Sequence, residues 1–381
     1  MLGHGMGLEP VAPDWPPLTL QEVRRVLGYV PGLEAGAAVI CWHSPRPFSA
    51  AAIVSVPASG SPAHRLVVKR HHRDVRTDDG LSEEHGFMGH LRARGIPVPL
   101  VVADGDASAW AEDNFVYEVQ EVLDGDDAYR EALSWTPFLS ARHAEEAGLA
   151  LARLHLASEG YCAPPRRMAP LLASCGVISS EDPVGAVGEL AEQRPGLAGY
   201  FSQRPAPWRD ELGRALAPLH ERFLPHAGAL LPLWAHNDWH PSNLMWSAVG
   251  PAARVVGVID FGLCNRTTAC YDLATAIERS AVGWLEPPGR RPVRPDLVRA
   301  LLRGYGRARQ LSPPEVAALP HLLPIVHVEY ALSEVEYFHA VARSPAKAAL
   351  AYEGYLLGHL EWFAGPHGAR LVADVSRAVS A

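Results

Sequence analysis

Cysteine is scarce and scattered in this chain of 381 residues: Cys41, Cys162, Cys175, Cys264 and Cys270 are odd in number and form no Cys-x-x-Cys pair. A disulfide framework is therefore not expected, and reduced thiols in a cytoplasmic setting are. No uninterrupted apolar run reaches the ~18 residues needed to cross a bilayer. The N-terminus, MLGHGMGLEPVAPDWPP, lacks the charged start and apolar centre of a signal peptide. Positive charge is in deficit: 34 Lys and Arg stand against 42 Asp and Glu, a formal net charge of -8. That balance points away from nucleic acid and from membrane surfaces as partners. The basic run Lys69-Arg-His-His-Arg73 reads, beyond Lys69, as a solvated strand end. There is no internal repeat and no low-complexity tract.

What is present is a globular balance, 48% hydrophobic and 20% charged, long enough for two domains or one large two-lobed unit. A Pro/Gly-rich lead-in over residues 1–18 gives way to a capping box, Thr19-Leu-Gln-Glu22, which starts a short helix to about Gly28. β-like runs at 37–43, 50–56 and 65–69 predict an antiparallel meander, joined through 44–49 and 57–63. Phe87, Met88 and Leu91 share a face and predict a helix over 81–94, stopped by Gly95. Two further strands are predicted at 98–103 and 114–122. From Asp124 the pattern turns helical, with helices at 141–157, 296–310, 312–323 and 326–363, the last broken near Ser344-Pro345. The expectation is an α+β chain with a β-rich lobe over residues 1–122 and a larger, mainly helical lobe over 123–381.

The chemistry lies in residues 234–272. They read WAHNDWHPSNLMW, then an apolar strand at 255–259, then Asp260-Phe-Gly262 and Tyr271-Asp272. Phosphoryl transfer asks a protein for positioning, magnesium and charge stabilisation. Magnesium takes hard oxygen ligands and keeps several waters, so one carboxylate and one side-chain amide suffice beside the phosphates. Asp260 and Asn243 supply that pair. Asp238, five residues before Asn243, can orient an acceptor hydroxyl and take its proton. A rival reading makes His236-x-Asp238-x-His240 the core of a metal-dependent hydrolase. His220, His226 and Asp272 do not complete a familiar ligand set for it, and Pro241 and Asn243 are left without a role.

The run His236-Asn-Asp238-Trp-His-Pro-Ser-Asn243, followed by Val258-Ile-Asp260-Phe-Gly262, resembles the HxDxxxxN and DFG pair of the protein-kinase-like fold. With His-Pro inside the loop and Tyr271-Asp-Leu-Ala274 downstream, the chain is similar to the aminoglycoside phosphotransferase and choline kinase superfamily. Residues 260–264, 271–274, 304–305 and 311–315 look most like type II homoserine kinases. The resemblance runs over roughly residues 35–360. It implies a bilobal protein-kinase-like fold with a small, five-stranded antiparallel lobe, a nucleotide donor (ATP, or GTP in its place) and Mg2+. Carried over by position, Asp238 is the catalytic base, Asn243 and Asp260 are magnesium ligands, His236 shapes the loop and Asp272 braces it. Lys69, at the end of Leu66-Val-Val-Lys69, would grip the α- and β-phosphates, with Glu84, preferred over Glu83, holding it. Gln120, Glu121 and Val122 would be the hinge whose backbone meets adenine. No GxGxxG precedes Lys69. Residues 44–50 take that place, and Ser49 with backbone N–H groups would cradle phosphate. His155 reads as a bracing residue.

The acceptor should face Asp238 from the large lobe. Trp239, Glu278, Arg279, Trp284 and Glu334 are its candidates, together with Glu329, Tyr337 and the segment 126–135. Carboxylates suit an amine, Arg279 an acid, and Trp284 a ring. The expected acceptor is a small-molecule hydroxyl: an amino alcohol, an amino sugar, or an antibiotic in a resistance role. A protein acceptor is disfavoured, because Tyr271-Asp272 follows Asp260 too soon for an activation segment. A monomer or homodimer without nucleic-acid or membrane partners completes the expectation. The non-enzyme alternative is a nucleotide-binding pseudokinase scaffold, yet Lys69, Asp238, Asn243 and Asp260 are all present.

Overall fold

Thr19 accepts the Glu22 N–H and Glu22 returns the bond, so the capping box starts α1, Leu20–Leu27, whose Val23, Val26 and Leu27 are buried. The computed structural model describes residues 14–46, 48–58, 61–166, 170–204, 206–248, 250, 252–287 and 290–380. Most of the expected lead-in, Pro47 of the first strand connection and residues 59 and 60 of the second lie outside the described residues.

Five strands follow: β1 Val39–His43, β2 Ala50–Ala58, β3 Ser61–His72, β4 Trp110–Glu112 and β5 Phe115–Glu121. They form an antiparallel sheet in the order β1-β2-β3-β5-β4. Every second residue points to one face. Ala52, Val54 and Val56 therefore join Leu66, Val68 and Val119 over Val23, Val26 and Leu27 to make the small core. The strand expected at 98–103 is corrected. Val101 makes only an isolated bridge to Gln120, and the outer strand is β4. Pro97 and Pro99 offer no N–H, so a regular ladder cannot run through them.

Thr77 caps α2, Asp78–Ala93. Its Phe87, Met88 and Leu91 belong to the large core, so by packing this helix leans on the large lobe. That lobe opens with α3, Ala141–Ser158, then α4, Pro183–Gln193, α5, Pro195–Ser202, and α6, Trp208–Ala227. Four short strands come next: β6 Pro232–Ala235, β7 Leu244–Trp246, β8 Val255–Val258 and β9 Asn265–Thr268. They pair as two ribbons, β6 with β9 and β7 with β8. The chain then runs through α7, Ala269–Ala281, α8, Pro295–Gly306, α9, Pro313–Leu322, and α10, Val328–Glu336. Short helices and π-helical turns lead to a last helix, Pro366–Val379. The α+β, two-part architecture is the one expected.

α3 and α8 touch backbone to backbone. A Cβ on Gly148 would run into the Leu301 carbonyl, and one on Gly304 into that of Glu145. Glycine is required at both positions by this approach. Among the described residues, the helical stretch Pro313–Val341 is long and apolar enough to cross a membrane by length and composition, and 83% of its apolar window is buried against the rest of the chain.

Candidate active site

The two ribbons bring two loops side by side: 236–243 between β6 and β7, and 259–264 between β8 and β9. Their junction is fixed by buried polar groups. Asp272, in the first turn of α7, accepts the backbone N–H groups of His236 and Asn237, each at 2.9 Å, and a bond of 3.1 Å from His155 Nε2. His155 Nδ1 meets the Tyr305 hydroxyl at 2.8 Å. Nε2 of His236 donates to the Ile259 carbonyl at 3.0 Å, while its Nδ1 accepts the Asp238 N–H at 3.2 Å. Burial lowers the His236 pKa, which keeps the ring in the neutral form that can play both parts. Asn237 and Asp260 both have left-handed backbone, φ 60 and 62. Asn and Asp tolerate that region better than other side chains, and such strain collects at functional sites.

Asn243 Nδ2 donates to the Asp238 carbonyl at 2.9 Å and to Asp238 Oδ2 at 3.0 Å. The Asn243 carbonyl accepts the Ile259 N–H at 2.9 Å, so the amide and Asp260 lie on adjoining backbone. With Nδ2 committed, Oδ1 is the atom Asn243 has to offer a cation. Asp260 is exposed. Desolvation by its neighbours works against its charge, but Lys69, with a backbone bond from Gly262, lowers its pKa and keeps it ionised. An amide oxygen and an ionised carboxylate are a donor set that fits Mg2+. The hydrolase reading finds no support. Both His236 nitrogens are used, and among the described residues no group of three or more His, Cys, Asp or Glu side chains is placed to hold a metal. Burial and the neighbouring Arg46 push His240 down to about 3.

Lys69 is one of two lysines among 34 basic residues, a scarcity that singles it out in the sequence. Its ion pair corrects the expectation. Lys69 Nζ lies 3.5 Å from Glu118 Oε1, whereas Glu84 sits 3.5 Å from Arg166. The reason is register: Lys69 and Glu118 face each other across the β3–β5 ladder. Burial opposes charge on Lys69, but Glu118, Asp260 and Glu84 outweigh it and raise its pKa. Glu118 also takes bonds from His71 (3.0 Å), His85 (2.8 Å) and Gln120 (2.6 Å). In sequence it is one more strand residue, with nothing to single it out.

The buried arginines are missed by sequence as well, because there they look like surface charge. Arg76 and Arg166 both donate to the Gly262 carbonyl, at 2.7 and 3.1 Å. They pin the loop that presents Asp260. Arg46, between β1 and β2, donates to Ser134 Oγ at 2.9 Å and to the Ala132 carbonyl, while Phe48 packs edge-on against Tyr337. The connection that carries Ser49 is thus folded down onto the large lobe. At the hinge, Glu121 N–H donates to Leu100 and Val122 N–H to Arg65. Those two donors, expected to meet adenine, are already used, because the strand pairing continues through them.

The acceptor candidates separate. Arg279, two helical turns after Asp272 on α7, forms an ion pair with Asp238 Oδ1, its guanidinium lying 5.2 Å from the Trp135 ring and 4.9 Å from that of Tyr330. Glu334 follows Tyr330 by one turn of α10. Burial raises the Glu334 carboxyl to about 7, with Arg279 partly offsetting it, and burial with the Glu334 charge raises Glu278 to about 8. Glu278 bonds His359 at 2.8 Å. Trp239 and Trp284 are corrected: both are fully buried, and Trp284 stacks on His359 at 3.6 Å rather than facing the cleft. Glu329 turns away to Ser174 and the Val177 N–H.

Comparison with known proteins matches residues 47–311 to the phosphotransferase enzyme family. A homoserine kinase of Acidiphilium cryptum is 30% identical over 259 residues, covering 66% of this chain and 67% of that protein. One of Phenylobacterium zucineum is 30% identical over 308 residues, covering 77% and 81%. Among solved structures, a microcompartment-associated aminopropanol kinase superposes with a TM-score of 0.63 at 18% identity, covering 93% of this chain and all of that one.

Proposed function

This chain belongs to the phosphotransferase enzyme family, and on that premise we propose that it moves the γ-phosphate of ATP, with Mg2+, to the hydroxyl of a small amino alcohol of the homoserine kind. The observation that supports this most is the junction of the two loops, where Asn243 holds Asp238 on one side and adjoins Asp260 on the other. The acceptor oxygen bonds to the γ-phosphorus as the bond from phosphorus to the β–γ bridging oxygen breaks, and that electron pair leaves with ADP. The hydroxyl proton passes to Asp238. Lys69, steadied by Glu118, meets the phosphates. Asn243 Oδ1 and the Asp260 carboxylate would hold Mg2+, whose charge offsets that of the β- and γ-oxygens. Arg279 meets Asp238 and carries the Tyr330 ring behind it, and Glu334 follows one turn on, a surrounding suited to an amino alcohol. Amino sugars and antibiotics have only fold-level likeness behind them.

The test is ATP consumption against a set of hydroxyl metabolites and antibiotics, run beside Asp238→Ala. Turnover with one acceptor class should fall by roughly 100- to 10,000-fold in the variant, while Mg·ATP still binds. Full turnover without Asp238 overturns the assignment. Nucleotide binding with no acceptor turned over would favour the pseudokinase scaffold.

A further inference from the structure

We propose that Arg279 is an acceptor-operated latch on Asp238, and that the acceptor therefore carries a carboxylate beside the hydroxyl it offers. This rests on the phosphotransferase reading above and adds a specificity residue to it.

Both carboxylate oxygens of Asp238 are engaged. Oδ1 is held by Arg279 Nη1, and Oδ2 accepts Asn243 Nδ2. An incoming hydroxyl has to share Oδ1 with a fixed positive charge, which opposes transfer of its proton there. Arg279 is 3% exposed, and its Nε has no hydrogen-bond partner. A buried donor left unmade is costly, and a guanidinium is a planar fork that matches a carboxylate with two parallel bonds. A ligand carboxylate spanning Nε and an Nη would satisfy the idle donor and compete with Asp238 for the charge. Oδ1 is then released to the hydroxyl.

The surroundings allow this exchange. The rings of Trp135 and Tyr330 keep the guanidinium attractive contacts as it shifts between partners. Glu334, one turn from Tyr330, lies near Arg279, and its carboxyl oxygen can accept a bond from an ammonium on the same ligand. An acceptor with a hydroxyl and an amine but no carboxylate leaves the latch closed.

L-homoserine and 3-amino-1-propanol differ only by that carboxylate and make the test. Wild-type protein should favour homoserine in kcat/KM by about 100-fold, the scale set by a buried polar group left unpaired. Arg279→Met should bring the preference to within about fivefold, by raising KM for homoserine and raising kcat/KM for 3-amino-1-propanol. Arg279→Lys should restore part of it. Homoserine alone should also change tryptophan fluorescence and melting temperature in wild type and not in Arg279→Met. Equal use of the two acceptors by wild type overturns the latch, as does a folded, Mg·ATP-binding Arg279→Met that keeps the preference. If that variant does not fold, the wild-type pair and the homoserine titration decide. Turnover only of acceptors without a carboxylate sinks the latch and leaves the phosphotransferase reading standing. Arg279-dependent homoserine binding without any turnover does the reverse.

Discussion

Lys69 stands opposite Glu118 across the β3–β5 ladder, and their ion pair of 3.5 Å is the direct contact that steadies the lysine. Glu84 reaches Lys69 only through its field. Glu118→Gln should therefore lower kcat/KM for ATP by about 10- to 100-fold, the worth of a charged hydrogen bond. Glu84→Gln should cost less, because its direct partner is Arg166. Steady-state kinetics at varied ATP compare the two. The opposite ranking would mean that Glu84 swings to Lys69 when nucleotide binds.

Asp260 is kept ionised by Lys69 and a backbone bond from Gly262. Asp260→Asn should keep the loop, which Arg76 and Arg166 hold through the Gly262 carbonyl, and lose the magnesium dependence of nucleotide affinity. Calorimetric titration with ATP, with and without Mg2+, reads this directly. EDTA should abolish turnover in wild type. Equal ATP affinity in both conditions for wild type would reject the metal assignment.

Stability should fall as pH rises from about 6.5 to about 8, the range in which Glu278 and Glu334 give up protons that burial holds on them to about 8 and about 7. A carboxyl with a raised folded pKa binds more protons folded than unfolded, so its contribution is full below the unfolded pKa and is lost through the folded one. His240 and His327 act oppositely. Burial lowers them to about 3 and about 4, so their contribution grows with pH up to the ordinary value of 6.5 and then stops. The window above that value isolates the two acids. Glu278 faces His359, Glu334 and Tyr355 there. Thermal melts at constant ionic strength should show the decline, and Glu278→Gln should flatten it. A melting temperature that climbs across the window contradicts the assignment.

Gly148 lets α3 lie against the α8 backbone. Gly148→Ala should cost about 1–3 kcal/mol, the usual toll of overpacking. Because α3 carries His155, which braces Asp272, catalysis should suffer beyond the loss of folded protein. Urea unfolding paired with kcat per folded molecule separates the two effects. A neutral change in both would show that the helices can move apart.

The helix starts were legible because capping is local: Thr19 with Glu22, and Ser312 with Glu315, each act over three residues. The meander was legible for the same reason, since alternation over β2 and β3 writes the buried face into the sequence. The strand at 98–103 failed where Pro99, with Pro97 just before it, removed donors from an otherwise apolar run. Trp284 failed because an aromatic ring offers area to a ligand and to a core alike, and only packing on His359 tells which.

By itself the sequence determined the order of Asp238, Asn243 and Asp260, because these groups sit on two loops joined by one short ribbon, where spacing along the chain is nearly distance in space. Only the tertiary structure decided which carboxylate meets Lys69, which arginines hold the Gly262 carbonyl, and that Arg279 lies on Asp238. Those partners come from strands and helices far apart in the chain. Their pairing is set by sheet register and helix packing, and no local pattern of residues encodes either.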